Sequence, residues 1–422
     1  MSEPATPSPA IAADDYDPFD AFNRAQGAGR IRDPYPLFAQ LRQNGPVQKF
    51  AVGGLARMSG AEFPRPPGLP DEIWAALSYD TVSQVLRDGK TFSSAGYAQS
   101  MGLVMGHTIL EMDEPEHSRY RGLIQKAFVK KAIDRWDREL IRPVVDGFID
   151  RFVERGRADL VRELTFPFPV SVIAGMIGLP EADFTSFHRW AVELISITLD
   201  WERGVAASRK LRGLFARVLA ERRREPREDL LSVLAHAELD GTRLTDEEIF
   251  AFLCLLAPAG AETTYRSSSN LLFGLLTHPD QLDAVRRDRS LVPQAIEEAL
   301  RWESPLLGIM RTTTRAVELG GVSLPEGAAV NVNLGAANRD PARWERPDEF
   351  DIFREPKQHM AFALGPHRCL GMHLARAETT ALLDALFERL PNLRLDPDAE
   401  DVHVTGLIFR APLALPVVFD PA

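Results

Sequence analysis

The sequence predicts a mainly α-helical protein with small β-sheets. Three observations carry that prediction: apolar residues recur at three- and four-residue spacing over most of the chain, strand-like segments are short and few, and one helical stretch is far longer than the rest.

From the N-terminus, the Pro/Ala/Asp-rich segment 1–16 predicts disorder, and the absence of a Gly/Ser linker predicts one domain over 17–422. Helical periodicity covers 33–44, 122–155, 181–222, 227–238, 245–277, 291–302 and 370–390. Strand signals fall in VELGGVSLPEG (317–327), AAVNVNLG (328–335) and LALPVVF (413–419), and there is no internal repeat. The stretch 245–277 has the clearest bounds. TDEE, from Thr245 to Glu248, matches a capping box, and His278-Pro279 marks the stop.

Inside that helix lies APAGAETT (257–264), where Pro258, Gly260 and the Glu262-Thr263 pair interrupt an apolar interior. Pro removes a backbone hydrogen bond and Gly weakens a helix by about 1 kcal/mol relative to Ala. Two readings follow. Thr263 bonds back to a carbonyl in a kinked core helix, or the defect opens a groove at a functional site.

Composition narrows the function. With 49 basic against 60 acidic residues the net charge is −11, which excludes a general nucleic-acid binder. A local basic run remains: seven basic residues against Asp134 and Asp137 between Arg119 and Arg138, either a solvated face or a dock for an acidic partner. Two cysteines cannot form a disulfide framework. The first basic residue is Arg24 and the longest apolar run has 13 residues, so no signal peptide or membrane anchor is expected, and the chain reads as soluble and cytoplasmic.

Cys254 sits in the apolar run 249–261 and reads as a small hydrophobe, whereas Cys369 lies in the loop FALGPHRCLG (362–371), just before a helix. A buried structural cysteine is the bland reading. Zinc is disfavoured, because only His367 is near and no CxxC occurs, and no oxyanion loop supports a Cys/His nucleophile. A single thiolate ligating a cofactor metal fits better: Gly365 and Gly371 allow close approach of a flat ligand, the following helix N-terminus stabilises the thiolate, and haem iron suits it.

Taken together, these motifs resemble those of a bacterial cytochrome P450 over nearly the whole chain. FALGPHRCLG is similar to the family's haem-binding loop at Phe362, Gly365, Cys369 and Gly371, with His367 where many members place a propionate contact; Ala363 departs from the commoner Gly. EALR (Glu298–Arg301) resembles the ExxR pair, AGAETT (Ala259–Thr264) the oxygen-activation motif, and HSRYR (His117–Arg121) the propionate-binding segment. Arg311 in LLGIMRTTTR, ANRDP (337–341) and RAPLALPV (410–417) match later landmarks.

The resemblance implies a P450 fold with the long central helix over haem b, and a haem-thiolate monooxygenase with Cys369 as metal ligand and O2 as co-substrate. It implies that Thr263 and Glu262 deliver protons, that His117, Arg121, Arg311 and His367 hold the haem propionates, that Phe362, Gly365, Gly371, Ala259 and Gly260 surround the cofactor, and that Glu298 and Arg301 are structural. It implies hydroxylation of a hydrophobic small molecule (terpenoid, steroid, fatty acyl or alkyl-aromatic) by a monomer that takes electrons from a ferredoxin and its NAD(P)H-dependent reductase, docked on the basic run with Arg368. By analogy, Tyr97, Leu103, Val104, Leu194, Ile197, Leu255, Ala259, Leu306, Ile309, Leu407 and Ile408 line the pocket. Two alternatives stay open: a hydrogen-peroxide-driven peroxygenase, which typically lacks the acid–alcohol pair, and a non-catalytic haem protein that binds a ligand.

Overall fold

The computed structural model describes residues 17–421 except 26, 52–53, 55–70, 197–199 and 240. The predicted disordered segment 1–16 and the pocket residue Ile197 lie outside the described residues.

The capping box closes as its residues require. Thr245 Oγ1 accepts from Glu248 N (3.3 Å) and Glu248 Oε2 accepts from Thr245 N (2.7 Å), starting a helix that runs from Asp246 to Leu276. Pro258 sits within this central helix without ending it. The helix is apolar or buried on most of its circumference, as expected of an element enclosed by others. The helices Pro167–Ile177, Phe184–Ile195, Trp201–Arg224, Val292–Trp302 and Met372–Arg389 pack around it. One hydrophobic cluster joins these elements.

Gly260 belongs to that packing. A Cβ there would stand 2.7 Å from Ile173 Cδ1, so glycine lets the central helix close on the Pro167–Ile177 helix.

Among the described residues the largest sheet has five strands in the order Val47–Ala51, Glu72–Ala76, Ala329–Asn333, Gly308–Thr313, Phe92–Ser93. Its pairings are antiparallel except for Ala329–Asn333 against Glu72–Ala76. A second core cluster fills the space between this sheet and the Tyr79–Arg87 helix, and a third lies under Tyr35–Gln43. Smaller sheets include the hairpin Val317–Leu319/Val322–Leu324, and Pro416–Val418 between Arg394–Leu395 and Arg157–Asp159. No helix among the described residues is long and apolar enough to cross a membrane.

Candidate active site

Cys369 is presented by a loop held at three points. Its own N–H donates to Phe362 O (2.9 Å), Arg368 N to Gly365 O (3.1 Å), and Ala363 N to Met360 O (2.8 Å). Gly365 has φ +69°, and a Cβ there would lie 2.2 Å from the carbonyl oxygen of Leu86, so the loop rests backbone to backbone on the Tyr79–Arg87 helix. Ala363, the departure from the family loop, holds the left-handed conformation (φ +52°) that favours glycine. A Cβ on Gly371 would meet nothing within 4 Å.

The Cys369 side chain lies deep among neighbouring residues yet keeps accessible surface. Burial pushes its thiol up, opposed by the Gly371 N–H and then by the charges of Arg121, Arg376 and Arg368. No cluster of three or more His, Cys, Asp or Glu suited to a metal ion exists among the described residues. A metal held by Cys369 must bring its other donors with it, as haem iron does.

The expected propionate contacts come together from three distant segments. The rings of His117 and His367 stand 4.0 Å apart, and His367 Nε2 lies 3.2 Å from Ser94 Oγ. Arg121 donates to Arg368 O (2.7 Å). Arg311 is buried, donates to Met310 O (2.7 Å), and has no ion pair among the described residues. Burial, followed by the charges of His117, Arg311 and Arg121, drives His367 down to about 3. His117 Nε2 is buried without a hydrogen-bond partner among the described residues. His117 Nδ1 meets Glu114 (3.2 Å) and Arg121 is half-buried, while Arg311 has no ion pair among the described residues; with His367 these cationic and donor groups converge in a way that fits a ligand carrying two carboxylates. These residues therefore fit haem.

On the central helix, Leu255, Ala259, Thr263 and Ser267 keep accessible surface at four-residue intervals while most neighbouring positions are buried. Thr263 Oγ1 donates to Ala259 O (2.7 Å), the back-bonding expected of a core threonine, although Thr263 lies in the open stripe. Glu262 points elsewhere. It is 3% exposed, and its Oε2 accepts from Arg266 Nε (3.2 Å) and Nη2 (3.0 Å). Burial raises its carboxyl despite Arg266.

The suggested pocket residues divide. Leu103 and Ile408 are exposed, and Tyr97, Leu255, Leu306 and Ile309 keep partial surface. The Tyr97 hydroxyl accepts from Met310 N (2.9 Å), which sets it beside Arg311. Val104, Leu194 and Leu407 are at most 6% exposed and belong to the hydrophobic clusters.

The ExxR pair is buried and bidentate. Arg301 Nε and Nη2 each lie 2.7 Å from Glu298, and the guanidinium also donates to the carbonyls of Asn338, Pro347 and Glu349. Asn338 continues the chain of contacts, its Oδ1 accepting from Met360 N (2.6 Å) at the start of the cysteine loop.

Sequence reasoning missed one half-buried and two buried groups. Arg376 lies over the Phe362 ring and pairs with Glu297, which also meets His359. Glu378 is 1% exposed; burial pushes it to about 8 against a hydrogen bond from Thr264. Arg266 reaches Asn23 Oδ1 (2.9 Å). The available signals were the Glu262–Arg266 spacing of four in an apolar helix and an acid within the apolar pattern of 370–390.

Comparison with known proteins agrees with this geometry. The family description of cytochrome P450 matches residues 184–403. Cytochrome P450 monooxygenase PikC of Streptomyces venezuelae is 35% identical over 93% of this chain and 92% of its own. The crystal structure of a cytochrome P450 from Chondromyces apiculatus superposes with a TM-score of 0.83 at 34% identity, covering 94% of this chain and 98% of that one. The testosterone complex of CYP109E1 from Bacillus megaterium gives 0.81 at 31% identity, with 92% and 99% covered. The chain therefore belongs to the bacterial cytochrome P450 monooxygenases, oxidoreductases whose family chemistry implies haem with thiolate ligation and O2.

Proposed function

We propose that this protein hydroxylates a hydrophobic small molecule, taking electrons from a ferredoxin and its NAD(P)H-dependent reductase. The observation that carries the reading is the accessible thiol of Cys369 beside the convergent His117, Arg121, Arg311 and His367.

When bound, haem supplies the activation of O2, one atom entering the substrate and the other leaving as water. The protein residues do the rest. Cys369 would hold the haem iron as a thiolate, aided by the Gly371 N–H, and His117, Arg121, Arg311 and His367 would pair with the propionates. Thr263, on the open stripe, presents a hydroxyl that passes protons to the reacting side, and Glu262 replenishes it. Leu255, Ala259, Leu103, Leu306, Ile309 and Ile408 offer an apolar surface without a charged group, suited to an aliphatic guest. A steroid-sized ring system is favoured among such guests by the similarity to the testosterone complex.

The basic run contributes less charge than its count suggests. Lys130 pairs with Asp134, Arg135 with Glu228, and Arg121 turns to Arg368 O. Lys131 and Arg138 are exposed without ion pairs among the described residues and, with Arg368, form the proposed ferredoxin contact.

The test is a compound panel screened for the spin-state shift, followed by turnover with ferredoxin, reductase and NAD(P)H. Hydroxylated product, formed in proportion to NAD(P)H, is expected. Turnover with hydrogen peroxide but none with the ferredoxin system would make the protein a peroxygenase. A CO-binding protein that oxidises nothing would be a ligand sensor.

A further inference from the structure

We propose that Asn23, on the helix Pro18–Ala25, is a positioning residue for Glu262: by drawing one N–H of Arg266 to itself, it keeps the guanidinium off Glu262 Oε1 and leaves that oxygen free to carry a proton. The inference rests on the reading above, in which Glu262 replenishes Thr263.

Its ground is a difference between two buried ion pairs. At Glu298–Arg301 the guanidinium takes both carboxylate oxygens, Nε on Oε2 and Nη2 on Oε1, each at 2.7 Å. That fork is the arrangement a guanidinium and a carboxylate favour. Glu262–Arg266 is buried as deeply and does not reach it. Nε (3.2 Å) and Nη2 (3.0 Å) both donate to Oε2, and Oε1 has no hydrogen-bond partner among the described residues. Nη2 carries two N–H groups. One is on Glu262 Oε2 and the other on Asn23 Oδ1 (2.9 Å), so none remains for Oε1. Apart from these two side chains, the guanidinium meets rings: those of Tyr265, Phe409 and Phe22 stand 4.8, 5.4 and 5.6 Å from its carbon. Without Asn23, the acceptor left for the released N–H is Glu262 Oε1.

Asn23 can hold Arg266 aside because its own helix is fixed. Arg162 pairs with Asp17 (3.2 Å) and with Asp20, and its guanidinium lies 4.2 Å over the Phe19 ring. Phe19 packs on Phe166 and Phe22 on Phe409, with centroids 4.1 and 5.5 Å apart. A guanidinium only donates, so the amide must turn Oδ1 toward it. Nδ2 is then buried without a hydrogen-bond partner among the described residues. A buried unpaired donor calls for a reason, and the contact with Arg266 supplies one.

The chemical consequence lies in the path of the proton. For each proton passed toward Thr263, Oε1 releases one and takes one back from solvent, while Oε2 stays on Arg266. The carboxyl is ionised between the two events, and its charge is then matched by Arg266. With both oxygens forked, every proton would have to displace an N–H of Arg266. No oxidant or reductant takes part.

The residue acts through Glu262, so its test needs readouts that packing alone does not move. Asn23→Leu removes the acceptor, and a crystal structure of that holoenzyme should show Arg266 Nη2 within hydrogen-bond distance of Glu262 Oε1. Haem content, the reduced-CO band and the substrate spin shift should remain those of wild type. With saturating ferredoxin and reductase, product formation should slow about tenfold, part of the about 100-fold or more that proton transfer contributes, and its solvent isotope effect should rise. Asn23→Ala should show the same loss if the leucine variant folds poorly, and Asn23→Asp, which keeps an oxygen acceptor, should recover most of the rate. Added to Glu262→Gln, Asn23→Leu should slow the enzyme no further. Wild-type rates and isotope effects in both Asn23→Leu and Asn23→Ala, beside a slowed Glu262→Gln, would overturn the proposal and leave the monooxygenase reading standing. An unmoved Arg266, or an equal further loss when Asn23→Leu is added to Glu262→Gln, would show that Asn23 acts through packing and would also overturn it. A Glu262→Gln variant as fast as wild type would overturn the proton-delivery reading itself.

Discussion

Removing the Arg301 guanidinium should cost the protein its haem as well as its stability. The side chain is 1% exposed and makes five hydrogen bonds, two to Glu298 and three to the carbonyls of Asn338, Pro347 and Glu349. In Arg301→Ala those three carbonyls lose a charged donor, at about 1 kcal/mol or more each. Glu298 is not left bare, because Arg354 Nε (3.3 Å) and the Asp351 N–H (2.9 Å) still reach it. The cost of about 3–5 kcal/mol for breaking a buried pair is therefore an upper bound for the charge alone, and the sum is roughly 5 kcal/mol. That is a large share of the about 5–15 kcal/mol that holds a typical protein folded. The damage reaches the site because Asn338, released on its carbonyl side, also fixes Met360 at the start of the cysteine loop. Urea denaturation should show a lower midpoint, and the ratio of Soret to protein absorbance should fall. Arg301→Lys, which keeps the charge but loses the fork, should lie between variant and wild type. An alanine variant with normal haem content and an unchanged midpoint would refute the reasoning.

Cys369→Ser should abolish the red-shifted reduced-CO band, because an alcohol oxygen is a poor replacement for thiolate; a surviving band would remove Cys369 as ligand. Thr263→Ala should leave substrate binding and electron uptake intact but divert NAD(P)H to hydrogen peroxide, through loss of a proton-transfer contribution of about 100-fold or more; an unchanged product ratio would return Thr263 to a core role. Glu378 is raised to about 8 from 4.5, so the folded state holds this proton more tightly than the unfolded chain. The resulting stability is full below pH 4.5 and declines until pH 8, by at most about 5 kcal/mol. Glu378→Gln should flatten the dependence of the unfolding midpoint on pH across that window, and equal slopes would contradict it. Ala363→Gly should stabilise by about 1 kcal/mol by relieving a left-handed residue, which a lower denaturation midpoint would disprove.

How far the sequence could be read depended on whether a feature is local. The central helix was legible because its cap lies within four residues and its interior is periodic. The Pro167–Ile177 helix was not, since it is apolar on all sides and shows no period. The window 122–155 breaks into several helical pieces, and 181–222 divides between Ile195 and Trp201, breaks that periodicity alone does not mark. The strand Glu72–Ala76 escaped because it pairs with Ala329–Asn333, more than 250 residues away, and Val47–Ala51 joins the sheet only through Glu72–Ala76. At the site, the cysteine loop and the acid–alcohol pair stood out as short motifs. Arg266 and Asn23, 243 positions apart, meet only through tertiary packing.

The open stripe of Leu255, Ala259, Thr263 and Ser267 has a consequence for how this enzyme can change. Most core positions of the central helix are bound to neighbours on several sides, so altering them disturbs the fold before it alters chemistry. Leu255 and Ala259 keep accessible surface, so exchanging one aliphatic side chain for another there reshapes what a guest meets at little cost to the scaffold. On the proposed reading, substrate preference and structural integrity are written on different sides of the same helix. Descendants of this sequence can drift toward new substrates along one side while the other keeps the protein folded.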